Sequence, residues 1–249
     1  MRKFFSKIVS ATIFALAITF TFSCTGGDDG DPNNGGTSSP SSSPSGGGSS
    51  PSNGGSTNNC TDATNCKTKK IGNRVWMLEN LNINVGSGST CYKGESANCD
   101  KYGRLYTWAA AMDIDLKYNE QLWGESDVRH QGICPTGWHI PSNDDWEDLI
   151  DYVEGENGCD DCAAKYLKSK SGWNSGGNGN DKYEFSALPG GLGFSGVNFR
   201  SVGLGGTWWG VSEYISDLAY SSFMFYYDED VRYDYGSKGN LRSVRCVQD

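Results

Sequence analysis

Histidine is scarce in this chain of 249 residues, which contains only His130 and His139. Neither histidine has a nearby ligand or triad pattern, and we expect His139 to be a buried, hydrogen-bonded imidazole. The chain also lacks the G-x-S-x-G turn that presents the nucleophile of many hydrolases. A Ser-His-Asp arrangement of distant residues stays open, but the missing motifs argue against an enzyme. We therefore expect no catalytic residue and no cofactor.

Positive charge is also in short supply. Lys and Arg number 21 against 30 Asp and Glu, which gives a formal net charge of −9. Three of the cations lie in the first seven residues, at Arg2, Lys3 and Lys7, and losing them would take the net charge to −12. Such a polyanion repels nucleic acid and anionic lipid surfaces, so we exclude a nucleic-acid partner.

Long apolar runs are nearly absent. The longest, residues 8–22, falls short of the ~20 apolar residues that a transmembrane helix needs. Because it follows a basic start, residues 1–23 are predicted to be a secretory signal peptide, with an uncut signal anchor as the alternative. The segment Thr21-Phe22-Ser23-Cys24 resembles a lipobox. Lipidation of Cys24 would anchor the exported protein in the bilayer of the bacterial cell envelope.

Residues 25–59 contain only Thr, Gly, Asp, Pro, Asn and Ser, and so offer no apolar side chain to bury. Ordering such a segment would cost conformational entropy that no burial of apolar surface offsets. We therefore expect a flexible linker with an r.m.s. span of roughly 30–35 Å. The lipidated cysteine and this linker form one predicted region, 24–59. Acids close behind the cysteine resemble surface-export signals and favour a surface-facing place on the outer membrane; they are Asp28, Asp29 and Asp31.

Every tryptophan and tyrosine lies beyond the linker, and residues 60–249 are predicted to form a single folded domain. Ser142, with Asp145 three residues on, predicts the start of a capped helix. Apolar periodicity and glycine-rich turns indicate the other elements. They are a strand over 70–81, helices over 105–112 and 163–167, and strands over 203–214, 219–227 and 241–247. The class is α+β, with helices early and short antiparallel strands late.

Six phrases of this region resemble the Fibrobacter succinogenes major paralogous domain. They are GNRVWM with ENL (72–81), YGRLYTW (102–108), ICPTGWHIPS (133–142), FSALPGG (185–191), GTWW (206–209) and SVRC (243–246). The resemblance implies a C-type-lectin-like fold, shared distantly with formylglycine-generating enzymes. It also implies an exported bacterial protein that is often lipid-anchored. It brings no established activity, and fold analogy cannot supply one.

Nine cysteines are present, and lipidation of Cys24 leaves eight, enough for four disulfides in an oxidising compartment. Many connectivities are open. A Cys134–Cys246 bridge would close a long loop and matches the long disulfide of lectin-like domains. The other pairs that we propose are local: Cys91–Cys99, Cys60–Cys66 and Cys159–Cys162. Since every cysteine then has a partner, the reactive-cysteine chemistry of the formylglycine-generating relatives is not carried over.

The C-x-x-C of Cys159 and Cys162 has two alternatives to a structural disulfide, a redox centre or half a metal site. The intervening Asp160 and Asp161 would raise a thiol pKa, which disfavours redox chemistry.

Two acidic clusters, at 144–148 and 228–230, suggest a calcium site, because calcium prefers oxygen ligands. We interpret the first cluster as helix-dipole acids with a solvated face, and the Glu-Pro-Asn and Trp-Asn-Asp phrases of sugar-binding lectins are absent. We expect no metal.

The late region of the chain is rich in aromatic residues. Strand alternation should bury most of them and expose the rest, and exposed rings can stack on sugars or anchor a protein interface. The residues predicted to form a ligand platform are Trp208, Trp209, Tyr214, Tyr226 and Tyr233. The favoured function is a surface-displayed binding or adhesion module that recognises a glycan or a cell-surface protein. The alternative is a structural component of a cell-surface assembly without enzymatic activity.

Overall fold

The computed structural model describes Cys60 and residues 65–124, 129–194 and 198–249. The predicted signal peptide, the lipidated Cys24 and the predicted linker lie outside these residues. Among the described residues, no helix has the length and apolar character needed to cross a membrane. Helices are few and short and most strands come late, so the chain is an α+β protein.

The regular elements are named here in chain order. They are β1 (Thr68–Ile71), β2 (Arg74–Met77), β3 (Ser89–Thr90), α1 (Ser96–Tyr102), β4 (Leu105–Tyr106), α2 (Trp108–Ala111), β5 (Trp138–His139), α3 (Asn143–Asn157), α4 (Ala163–Leu167), β6 (Gly190–Phe194), β7 (Asn198–Val202), β8 (Gly205–Ile215), β9 (Leu218–Phe225), β10 (Arg232–Ser237) and β11 (Val247–Gln248). Short 3₁₀ segments lie at Tyr92–Gly94, Leu116–Asn119 and Asn174–Gly176.

Two larger sheets organise the described chain. The first has the strand order β1-β2-β11-β5, so strands from the beginning and the end of the domain pair with each other. The second has the order β10-β9-β8-β6-β7, and its central strand β8 is also its longest. Strand β6 runs parallel to β8, whereas β9 is antiparallel to both β8 and β10.

The opening strand expected over 70–81 is instead a hairpin. β1 and β2 pair antiparallel around a two-residue turn at Gly72 and Asn73. Gly72 has a φ of +62°, and a Cβ there would lie 2.9 Å from the ring of Tyr152. Glycine therefore meets both the conformational and the spatial demand of this turn. The glycine-asparagine pair between Ile71 and Arg74 was the signal for this turn.

Helix α3 forms where the sequence predicts it. The Ser142 hydroxyl accepts a hydrogen bond from the Asp145 backbone N–H, and the Asp145 carboxylate accepts one from the Ser142 backbone N–H. This capping box satisfies N–H groups that the first helical turn leaves without partners. Trp146, Leu149 and Val153 are buried along one face, as the period of the pattern requires.

Two other predicted elements are shorter in the structure. The helix expected over 105–112 is confined to α2, because Leu105–Tyr106 pairs with Ser89–Thr90 as a small sheet. The strand expected over 241–247 makes only isolated bridges before β11 begins at Val247.

The core lies on both sides of β8. Trp209 packs in one cluster with Trp108, whereas Trp208 packs in another with Trp76 and Trp146. Neighbouring side chains of a strand point to opposite faces, so a strand between two apolar layers buries both. β8 is therefore a central strand with no solvent-facing side over this stretch.

Four disulfides cross-link the described chain, and they are the four pairs proposed from the sequence. Three are local: Cys60–Cys66, Cys91–Cys99 and Cys159–Cys162. The fourth joins Cys134 to Cys246 across a separation of 112 residues. It ties the segment before β5 to the segment before β11, two neighbouring strands of the first sheet.

Candidate functional site

Three buried cationic side chains pack against the aromatic core of the domain. Lys238, Arg242 and Arg245 are 0%, 8% and 0% exposed. Each lies over the ring of a core tryptophan, an arrangement that favours a desolvated cation. The cation-to-centroid distances are 4.6 Å for Lys238–Trp108, 4.6 Å for Arg242–Trp209 and 5.9 Å for Arg245–Trp208.

Trp208 and Trp209 are not part of an exposed platform, which corrects the expectation from the sequence. Both are 0% exposed. The Trp208 Nε1–H donates to Asn80 Oδ1 at 2.8 Å, and the Trp209 Nε1–H donates to the Tyr106 carbonyl at 2.8 Å. Internal partners thus occupy both indole N–H groups. Asn80 Oδ1 also accepts from Arg245, so this motif residue joins two buried donors.

Tyr226 and Tyr233 contribute little open ring surface. Both are partly buried against the core cluster that contains Trp208. The Tyr233 hydroxyl is buried without a hydrogen-bond partner among the described residues. Desolvation, with neighbouring carboxylates such as Glu147 adding to it, raises the pKa of Tyr233. These two members of the predicted platform therefore belong mainly to the packing against that core cluster, Tyr226 just after β9 and Tyr233 in β10.

The remaining platform residue, Tyr214, lies in a surface group that we call the tyrosine cluster: the exposed Tyr214 and Tyr235 and the half-buried Tyr220. Tyr214 and Tyr235 are 46% and 45% exposed, and their rings stack at 4.1 Å with an interplanar angle of 12°. Tyr220 meets these rings edge-on, at 5.6 Å and 6.5 Å. The cluster forms because Tyr235 pairs with Tyr220 across β10 and β9. Sequence reasoning omitted Tyr220 and Tyr235 because it could not supply this register.

A buried ion pair lies directly beneath the tyrosine cluster. The Lys238 ammonium contacts the carboxylate of Glu213, the residue before Tyr214, and the two side chains are 0% and 3% exposed. Glu213 also accepts the backbone N–H of Trp123 at 3.0 Å and of Gly124 at 2.9 Å. Burial opposes ionisation of Glu213, but these hydrogen bonds outweigh it and lower its pKa. The pair fixes the end of β8 that carries Tyr214.

A polar cleft of about 430 Å³ opens beside the start of α3. On its floor, His139 Nε2 lies 3.1 Å from Asp145 Oδ2 and Nδ1 lies 2.8 Å from Asp249 Oδ1. His139 is 2% exposed, which confirms the expected buried, hydrogen-bonded imidazole. Arg74 Nε contacts the other Asp145 oxygen at 3.0 Å. Both ring nitrogens of His139 and both oxygens of Asp145 are therefore paired.

The Asp145 carboxyl makes stability depend on pH. Burial alone would raise its pKa, but hydrogen bonds from His139 and Ser142 outweigh it and lower the pKa from 3.8 to about 2. A carboxyl with a depressed folded-state pKa stabilises the fold above its unfolded pKa and loses that contribution as the pH falls. We expect this contribution, about 1–2 kcal/mol after allowance for solvent screening, to disappear between about pH 4 and pH 2.

Urea titrations across this pH range check the expectation. The free energy of unfolding should fall more steeply for the wild-type protein than for Asp145→Asn. Equal slopes for the two proteins would show that Asp145 is not the group responsible.

The acidic clusters considered for calcium do not form a ligand set within the described residues. In the described ranges, no group of three or more His, Cys, Asp or Glu side chains is placed to hold a metal ion. Asp228 contacts Arg232, and Asp230 has a raised pKa because of burial and of nearby acids such as Asp161.

Comparison with known families identifies the class of this α+β, disulfide-linked domain. The Fibrobacter succinogenes major domain matches residues 70–248, more than two thirds of the chain. The chain belongs to this family. Neither the curated proteins nor the solved structures give a significant match to it.

Proposed function

We propose that the domain is a binding module that recognises a glycan, or a glycan-bearing surface protein, through the tyrosine cluster. The observation that carries the proposal is the stacked, half-exposed pair of Tyr214 and Tyr235. Large aromatic rings are usually buried, and an exposed group of them is typical of an interaction surface. The faces of the tyrosine rings provide apolar contact, and their phenol hydroxyls can hydrogen-bond to a polar ligand.

Rigid placement supports this proposal. Tyrosine side chains have few rotatable bonds, so ordering them on a ligand costs little entropy. The three rings come from β8, β9 and β10, which are adjacent strands of one sheet. The Glu213–Lys238 pair holds the end of β8 beneath them. A surface that is already ordered loses less free energy on association than a loop that must fold.

We also propose that the domain is not an enzyme. Both nitrogens of His139 are paired with carboxylates, and the ring is 2% exposed, so it offers no site for proton transfer to a ligand. The second histidine, His130, directs Nε2 to the Met112 carbonyl at 2.6 Å.

A C-type-lectin-like fold and display by a lipid anchor complete the proposal. The fold is supported by the pairing of β11 with β2 and by the long Cys134–Cys246 disulfide. The anchor, the bilayer partner and the outer-membrane location are supported by Cys24 and the linker composition of residues 25–59. These features would present the tyrosine cluster to ligands outside the cell.

Affinity electrophoresis of the oxidised protein in gels that contain neutral or acidic polysaccharides tests the binding proposal. We expect at least one polysaccharide to retard the protein, with no change on adding calcium or EDTA. Tyr214→Ala and Tyr235→Ala should each weaken binding about tenfold or more, because each removes an aromatic contact at the centre of the surface. The control is Tyr152→Ala on α3, where the tyrosine is 37% exposed.

Equal retardation of the wild-type protein and both cluster variants would contradict the proposal. Retardation that requires calcium would also contradict it, since the described residues around the tyrosine cluster include no ligand set for a cation. Wild-type protein that binds no polysaccharide would leave the assembly function as the better explanation.

A second aromatic surface favours that alternative, a structural component of a cell-surface assembly. At the other end of β9, Phe225 and Tyr227 stack at 5.5 Å with an interplanar angle of 5°, and Tyr227 is 68% exposed. Phe223 extends the group at 5.3 Å from Phe225. Photo-crosslinking from position 227 on intact cells would recover one fixed protein partner if this surface mediates assembly. Crosslinking to no protein would argue against assembly through this surface.

A further inference from the structure

The rim of the polar cleft carries four side chains that have no side-chain hydrogen bond or ion pair within the described part of the chain. They are Arg129, Asn143, Asp144 and Ser212. None makes a hydrogen bond or an ion pair with another residue in the ranges 65–124, 129–194 and 198–249. In contrast, the Asp145 carboxylate below them is fully paired, because it binds His139, Ser142 and Arg74. The polar groups that can still hydrogen-bond to a ligand therefore lie at the rim.

The chemistry of the rim is mixed and close to neutral. The Arg129 guanidinium only donates and the Asp144 carboxylate only accepts, and their formal charges cancel. The Asn143 amide and the Ser212 hydroxyl can each donate and accept. A ligand that fits such a set carries several closely spaced groups that both donate and accept, and it needs no net charge. Neighbouring hydroxyls of a sugar ring have this property.

The cleft adjoins the tyrosine cluster along β8. Ser212 of the rim is two residues before Tyr214, which corresponds to about 7 Å along a strand. The Val211 backbone N–H donates to the Pro141 carbonyl at 3.0 Å, so β8 is tied to the chain that enters α3. Rim and cluster therefore belong to one rigid surface, with hydrogen-bonding groups on one side and aromatic rings on the other.

We infer that the cleft is a hydrogen-bonding subsite for a neutral pyranose ring of a glycan whose neighbouring ring stacks on the tyrosine cluster. The inference rests on the proposed glycan binding and names the ligand class. Arg129 and Asn143 donate to ring hydroxyls, Asp144 accepts from a pair of them, and Ser212 does either. The volume of about 430 Å³ lies within the range of small-molecule sites.

Isothermal titration of the full protein with β-1,4-linked hexaoses of glucose, xylose and mannose tests this inference. Tetragalacturonic acid serves as the acidic probe. A neutral oligosaccharide should bind, and Asp144→Asn and Arg129→Gln should each weaken it by about tenfold to hundredfold, the usual effect of losing a hydrogen bond to a charged group. Asp151→Asn on the exposed part of the same helix and Arg200→Gln on β7 are the matched controls and should bind as wild type does.

The outcomes separate this inference from the proposed function. Binding of a neutral oligosaccharide that is lost in Tyr214→Ala but unchanged in both rim variants would overturn the cleft subsite and leave the binding module intact. Preference for the acidic probe, with sensitivity to Arg129→Gln alone, would overturn the neutral ligand class. Absence of binding to every probe would overturn both. Thermal melts of the rim variants, both at exposed positions, establish that they remain folded.

Discussion

Removal of the Cys134–Cys246 disulfide is expected to lower the free energy of unfolding by about 4–5 kcal/mol. The bridge closes a loop with a sequence separation of 112 residues, and the stabilisation by chain entropy grows with the length of that loop. It also ties the segment before β5 to the segment before β11, the strand whose pairing with β2 brings the two ends of the domain into one sheet. A loss of this size is a large fraction of the stability of a typical domain.

Guanidinium titrations of the paired variant Cys134→Ala with Cys246→Ala measure this loss. The matched control is Cys91→Ala with Cys99→Ala, whose separation is 8 residues. The chain-entropy relation predicts a loss of about 2–3 kcal/mol for this shorter loop. A single Cys134→Ser change should also leave a free thiol at Cys246, which is 0% exposed and is therefore counted with a thiol reagent in the denatured protein. Equal losses for both pairs, or no new thiol, would contradict the assigned role of the long disulfide.

The second large effect is expected from Glu213→Gln, which should destabilise the fold by about 3–5 kcal/mol. The change leaves the Lys238 ammonium, which is 0% exposed, without its carboxylate. Carbonyls of Gln121 and Ser216, at 3.1 Å and 2.8 Å, remain as partners but cannot neutralise the charge. Because Tyr214 follows Glu213, we also expect weaker glycan binding in this variant.

Two controls separate the buried pair from ordinary surface electrostatics. Lys165 and Glu229 form an exposed pair at 3.3 Å, and Glu229→Gln should change the free energy of unfolding by less than about 1 kcal/mol. The double variant Glu213→Met with Lys238→Met should recover much of the loss, since no unpaired charge remains buried. A loss in Glu213→Gln no larger than in Glu229→Gln would contradict the importance of this pair.

Local signals in the sequence were sufficient for some elements. Ser142 and Asp145 lie in a capping-box spacing, and the apolar residues that follow have a helical period, so α3 depends on few distant contacts. The hairpin also has a local signal, the turn residue Gly72. The apolar alternation of a strand continues across the two-residue turn, however, and therefore suggests one uninterrupted strand. Cysteine parity and family resemblance led to the four disulfide pairs.

The tyrosine cluster depended on information that the sequence does not carry. Its members meet because β10 pairs with β9 in one register and because β8 has an irregularity between Trp209 and Glu213. Alternation along a strand predicts that one of two adjacent tryptophans faces solvent. That inference was wrong for Trp208 and Trp209, because β8 is covered by core clusters on both faces. The core clusters that cover both faces of β8 decided which rings remain exposed, and the alternation of side chains along the strand did not.

An NMR titration of the oxidised protein with the polysaccharide fragment that it binds most tightly tests the central claim most directly. Glycan binding through the tyrosine cluster predicts shift changes in residues 212–220 and 233–237, which include the cluster and the adjoining edge of the cleft. Changes centred on Phe223–Tyr227, or an unchanged spectrum at a saturating ligand concentration, would contradict it.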